Sequence, residues 1–176
     1  DAIERTSNPP KTFQPTHGGR NANLFEDAFK FAKMGGTIDL TCGESESKFH
    51  SVADAVKKAK EEGVPMEKVP MSSDGQGSWS NYDAEGKLVE IGVSDVDTIY
   101  RQIVYMVKEE NMDLEELLAL GTKNPAMALE LYPKKGAVKE ESDADILIMN
   151  EDLSLDTVIA MGVPMMRDGK ILKKGT

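Results

Sequence analysis

The side chains best suited to chemistry lie in two short segments. Thr16-His17-Gly18-Gly19-Arg20 offers an imidazole and, three residues later, a guanidinium beside two glycines. Ser73-Asp74-Gly75-Gln76-Gly77-Ser78 offers a carboxylate and a hydroxyl in a loop whose glycines let a ligand approach the backbone. Neutral imidazole and carboxylate are the usual oxygen and nitrogen ligands of a catalytic zinc ion. Each residue also has an ordinary reading. A histidine after a strand can be a hydrogen-bonded structural residue, Asp74-Gly75 a plain turn, Arg20 a surface cation and Ser78 a loop hydroxyl. Spacing alone leaves both readings open. Three other residues read as bystanders: His50, just before Ser51, as a solvated imidazole; Cys42, with no histidine or basic cluster nearby in sequence, as a small buried thiol; and Asp39, inside an apolar run, as a structural or supporting carboxylate.

The elements that must position these residues alternate in type. Residues 12–16 form a β-prone run ending at His17, and Leu24, Ala28, Phe31 and Ala32 then fall at helical spacing until Met34-Gly35-Gly36. Thr37-Ile38-Asp39-Leu40-Thr41 reads as a second strand. Ser51 with Asp54 reads as a capping box opening a helix with Val52, Ala55, Val56 and Ala59 on one face. A third strand spans residues 68–73 with Asp74 at its C-terminal end, followed by a Gly-rich polar loop to about Gly92. Polar residues at the C-terminal ends of parallel strands are where α/β barrels gather their catalytic groups. Three helical segments follow: residues 94–110 with Val96, Ile99, Ile103 and Val107 on one face, residues 113–120 with a second box at Asp113 and Glu116, and residues 122–131. From Pro133 onward the texture becomes short apolar runs broken by turn residues: 136–138, 144–149, 157–161 and 171–172. That is β structure in a separate small sheet.

Composition narrows the class. The chain has 176 residues, enough for one core without staples. Its 31 acidic and 21 basic side chains give a formal charge of -10, which argues against a nucleic-acid partner. Its one cysteine excludes an internal disulfide, and no run approaches the roughly 18 apolar residues of a membrane span. No membrane partner and a reducing cytoplasm are therefore expected. Asp1-Ala2-Ile3-Glu4-Arg5 contains neither an initiator methionine nor a signal region, so the chain is expected to begin within a longer sequence.

Taken in order, these segments resemble the amidohydrolase superfamily and, within it, the isoaspartyl dipeptidases, across nearly the whole chain. The resemblance rests on Pro15-Thr16-His17 with Arg20-Asn21, Leu24-Phe25-Glu26, Gly35-Gly36-Thr37-Ile38-Asp39, Ser72-Ser73-Asp74-Gly75 and Gly77-Ser78. A closing pattern generic to the superfamily follows in Asn124-Pro125-Ala126, Asp143-Ala144-Asp145 and Arg167-Asp168-Gly169-Lys170. Glu141 stands where a glycine is usual.

The resemblance implies an α/β chain: the C-terminal part of an eight-stranded (β/α) barrel over residues 1–132, with its last three strands and outer helices, and strands of a small β-sandwich domain over residues 133–176. It implies a site for two zinc ions built from a His-x-His pair, a carboxylated lysine, two later histidines and a final aspartate. His17 matches the last histidine and Asp74 the aspartate; the other ligands are absent from this chain. Asp74 would take the proton from a metal-bridging hydroxide, Arg20 would pair with the α-carboxylate of an isoaspartyl dipeptide, and Ser78 would hold its amino end. The fragment alone would be inactive, would need the missing N-terminal half of the barrel or self-association, and would leave inward residues, Ile38 and Leu40 or their neighbours depending on the pleat, without opposing packing. The rival expectations are another amidohydrolase, a cyclic-amide hydrolase or deacetylase that needs neither Arg20 nor Ser78, and a metal-free assembly module.

Overall fold

A computed structural model describes residues 5–18, 22–43 and 51–174. Helix α1 (Ala22–Lys33) buries Phe25, Ala28, Phe29 and Ala32, residues three and four apart that line one face. The rings of Phe25 and Phe29 meet at 4.5 Å between centroids. Gly35, at φ +94°, takes the backbone out of the helix in a conformation that glycine adopts freely.

Strand β1 (Leu40–Thr41) runs parallel to β2 (Met71–Ser72), with helix α2 (Val52–Glu61) between them in sequence. The ladder extends beyond the two strands through Ile38 N to Lys68 O at 2.9 Å, Leu40 N to Pro70 O at 3.0 Å and Cys42 N to Ser72 O at 2.8 Å. Pro70 is tolerated because the ladder uses its carbonyl, the group a proline keeps. On the other edge of β1, Asp39 N donates to Pro15 O at 3.0 Å. The expected first strand is thus reduced to a segment without regular structure, residues 13–17, hydrogen-bonded beside β1 through Pro15, and residues 10–12 form a 3-10 turn.

The pleat of these strands separates two faces. Ile38, Leu40, Cys42, Val69 and Met71 join the buried core with α1, α2 and the later helices. Ile38 and Leu40 therefore face the helices, not the interior of a barrel, and are 2% and 4% exposed. The opposite face carries Asp39, Thr41 and Ser72.

Residues 78–93 differ from the expected loop. They form a β-hairpin, β3 (Ser78–Tyr82) paired antiparallel with β4 (Leu88–Val93), around an Asp83-Ala84-Glu85-Gly86 turn with Gly86 at φ +80°. Asp83 Oδ1 accepts from the N–H groups of Glu85 and Lys87 and so supports the turn. Trp79 lies directly over Gly92, where any Cβ would collide with its ring. Val89, Ile91 and Val93 remain exposed.

Helix α3 (Thr98–Lys108) starts four residues later than the periodicity predicts: Ser94 is bonded to the hairpin base, Asp95 and Asp97 pair with Arg101, and Val96 is exposed. Both predicted caps form: Ser51 Oγ accepts from Asp54 N at 3.1 Å at the start of α2, and Asp113 Oδ1 accepts from Glu116 N at 2.9 Å at the start of α4 (Leu114–Gly121). Helix α5 (Lys123–Ala128) ends early, its chain turning back through Leu131 N to Ala126 O at 2.8 Å. Buried Asn124 donates to Met66 O and Val69 O, tying α5 to the approach of β2.

The final strands form one antiparallel meander, β5 (Ile146–Met149), β6 (Leu155–Ala160), β7 (Val163–Arg167) and β8 (Lys170–Ile171). The run 136–138 is not a strand, and Val138 is 82% exposed. Glu141 sits exposed at φ +69°, the left-handed conformation that explains why glycine suits that position. Tyr100 Oη donates to Leu153 O at 2.8 Å and links α3 to this sheet. Among the described residues no helix is long and apolar enough to cross a membrane.

Candidate active site

His17 ends the segment beside β1, half-buried, with its Nδ1 shielded from solvent and its backbone at φ +57°. Asp74 follows β2 in the same left-handed region, at φ +49°. Backbone strain of this kind costs on the order of 1–3 kcal/mol and persists only where surrounding structure enforces it. Around Asp74 the enforcing contacts are visible. Gly77 N donates to Asp74 O at 2.8 Å and Gly75 N to Ser73 Oγ at 3.0 Å. Gln76 N donates to Ser94 O and Ser94 N to Gly77 O, both at 2.9 Å, so the hairpin base is fastened to the loop. Ser94 Oγ donates to Gly43 O at 2.6 Å and Thr98 Oγ1 to Ser73 O at 3.2 Å. Gly43 must be glycine, since a Cβ there would collide with Ser73 O.

Between the two segments lies Asp39, 3% exposed. Its Oδ2 accepts from Ser72 Oγ at 2.8 Å and Thr41 Oγ1 at 2.9 Å. Burial pushes its carboxyl above the usual range, while the two hydroxyls and the charge of His17 pull it back and the charge of Asp74 adds to the rise. His17 and Asp74 are therefore each within electrostatic reach of Asp39. Ser78 opens β3 opposite Val93, four residues past Asp74 and exposed. Arg20 lies outside the described residues. Cys42 is buried, and burial pushes its thiol up to about 12, which removes it as a nucleophile. Trp79, Thr98, Arg101, Gln102 and Cys42 border a cavity of about 300 Å³ alongside the loop, in which Arg101 is occupied by Asp95 and Asp97.

The grip of Thr41 and Ser72 on Asp39 was not anticipated. Its signal is the alternation Thr37-Ile38-Asp39-Leu40-Thr41, polar at every second residue of an otherwise apolar run. An imidazole and a carboxylate suit a divalent metal by donor chemistry, but among the described residues no three His, Cys, Asp or Glu side chains come close enough to hold one.

Residues 16–172 match the model of the amidohydrolase family. The chain is 35% identical to a β-aspartyl dipeptidase from the thermophilic keratin-degrading Fervidobacterium islandicum AW-1, solved with a β-Asp-Leu dipeptide, over 98% of this chain and 44% of that one, with a TM-score of 0.84. A second structure of the dipeptidase from that organism gives 33% identity, 98% and 42% coverage, and a TM-score of 0.78. An N-acetylglucosamine-6-phosphate deacetylase from Thermotoga maritima shares the fold alone, at 16% identity over 81% of this chain and 50% of that one, with a TM-score of 0.55. The chain thus spans less than half the length of the dipeptidases that it matches over almost all of its own. With the family match running from the residue before His17 to the last strand, the chain belongs to the amidohydrolase family.

Proposed function

We propose that this chain is part of a metal-dependent dipeptidase that hydrolyses β-aspartyl (isoaspartyl) dipeptides. The observation that carries the reading is the 35% identity to a β-aspartyl dipeptidase over 98% of the chain. The segments carrying His17 and Asp74 support it, since they flank β1 on either edge and the charges of both residues act on Asp39. His17 and Asp74 are the residues of this chain that would hold the metal, zinc by donor type, whose chemistry when bound is to acidify a water and polarise a carbonyl.

Asp74 accepts a proton from the attacking water and later gives it to the leaving amine, a role for a carboxylate held within hydrogen-bond reach of the reacting oxygen. The guanidinium of Arg20 pairs with the free α-carboxylate of the substrate through two parallel hydrogen bonds, a fork that a lysine cannot reproduce. The Ser78 hydroxyl, at the hairpin base fastened to the Asp74 loop, holds the substrate's amino end. Residues 1–132 supply the last three strand segments and outer helices of a barrel, and residues 133–176 one sheet of a small β-sandwich domain. The remaining ligands come from the rest of a longer protein, so the isolated chain is inactive and self-associates or binds its complement. A single buried cysteine suits a reducing cytoplasm.

The test is a substrate profile of the longer protein that contains this chain. β-Asp-Leu and related β-linked dipeptides should be cleaved, and the α-linked isomers should not. Preferred turnover of a cyclic amide or an N-acetylated amino sugar would replace the dipeptidase reading with that of another amidohydrolase.

A further inference from the structure

We propose that Asp39 is a positioning residue: its backbone and its carboxylate tie together the two segments that carry His17 and Asp74, and so set the distance between them. On one side, Asp39 N donates to Pro15 O at 3.0 Å, two residues before His17. On the other, Ser72 Oγ donates to Asp39 Oδ2 at 2.8 Å, two residues before Asp74. Thr41 Oγ1 donates to the same oxygen at 2.9 Å and fixes the carboxylate's rotamer from its own strand. One residue thus reaches both neighbours of β1, each time at the same short remove from a candidate ligand.

A core does not need this arrangement. Asp39 is 3% exposed, and burying a carboxylate costs free energy that hydroxyl donors only partly offset. The apolar packing of β1 is carried by Ile38, Leu40 and Cys42 on the opposite face. A hydrophobic residue at 39 would serve stability at least as well, so the carboxylate is kept for what it holds. Ligands must be held to within about 0.5 Å for a site to work, and partners that orient ligands typically contribute about 10- to 100-fold in activity or metal affinity.

This inference rests on the dipeptidase reading, and its test is separable from it. In the longer protein, Asp39→Leu, Asp39→Asn, Ser72→Ala and the Asp39→Leu/Ser72→Ala double variant are compared by kcat and KM on β-Asp-Leu, by metal retained after dialysis against a chelator, and by melting temperature. Asp39→Leu and Ser72→Ala should each lower kcat about 10- to 100-fold with KM little changed, and should shed metal faster than the parent. Asp39→Asn, which keeps an acceptor oxygen for Ser72, should retain most of both. The double variant should be no worse than Asp39→Leu, because the two groups act as one unit. The proposal is overturned if Asp39→Leu or Ser72→Ala alters only the melting temperature, if Asp39→Asn is as damaged as Asp39→Leu, or if the two losses multiply. Should Asp39→Leu not fold, Ser72→Ala and Asp39→Asn decide the matter. If the parent cleaves no isoaspartyl dipeptide, the functional reading falls while metal retention still tests Asp39.

Discussion

Asp74 is half-buried, held at φ +49°, with its carboxylate so close to Gly77 that a Cβ there would stand 2.6 Å from Oδ1. A side chain fixed this firmly has little freedom to be replaced by a neighbour. In the longer enzyme Asp74→Asn, which preserves shape and removes the proton acceptor, should lower kcat by about 100- to 10,000-fold, and near-normal turnover would sink the assignment. Cys42 makes a different forecast. Its thiol is pushed up from 9.0 to about 12 by burial, so the folded state resists its ionisation. Stability from this group is complete below about pH 9 and is lost as pH rises towards 12, because the unfolded chain releases the proton first. Iodoacetamide at pH 8 should leave the folded chain unmodified and label the denatured one, and Cys42→Ala should flatten the decline in stability between pH 9 and 12. His17 and Asp74 stand out in the sequence as candidates because their side chains carry chemistry by type. Thr41 and Ser72 do not, because a hydroxyl is ordinary anywhere, and only strand parity and a neighbour 33 residues away along the chain turn Ser72 into a partner of Asp39.

At the level of elements, the helices announced themselves through caps. Ser51 and Asp113 each accept from the backbone three residues on, leaving fewer unsatisfied N–H groups in the first turn. Ser51→Ala and Asp113→Ala should each lower stability by about 0.5–2 kcal/mol in urea unfolding, and an unchanged midpoint for either would deny that its cap matters. Helix α2 is further linked to the turn after α3 by Lys57 to Glu110 and to α4 by Lys60 to Glu116, surface pairs that add little by themselves. The hairpin was illegible for a physical reason. A two-stranded ribbon with one open face does not need the clean alternation of a half-buried sheet, and its glycines and polar turn read as loop. Its true signal was long-range: an aromatic at 79 that requires glycine at 92. The parallel strands were legible in order but not in length, because β1 and β2 are only two residues each where the β-prone runs are longer.

For the molecule as a whole, the alternation of strand and helix identified the fold class, and the alternation of polar and apolar residues over 37–41 separated the two faces of β1 without saying what each would meet. The core formed by α1 to α4 on β1 and β2 is closed by this chain's own residues. What stays open is the other side. The outer edges of β2 and of residues 13–17 have no strand partner among the described residues, and the hairpin exposes Val89, Ile91 and Val93 by 62–67%. Unpaired edges and exposed apolar surface favour association, even against the mutual repulsion of chains carrying a net charge of -10. The purified 176-residue chain should therefore sediment as an oligomer or require the rest of the longer protein to stay monodisperse, and a compact monomer with uniform amide protection would contradict the incomplete-barrel reading. Trp79 supplies the means to follow this in real time. It is the chain's single tryptophan, half-buried over Gly92 at the base of the hairpin and beside the Asp74 loop. All of this chain's tryptophan fluorescence thus originates within a few residues of the candidate chemistry, so a blue shift on adding a complementary half freed of tryptophan would report burial at the hairpin base, not a change elsewhere in the chain.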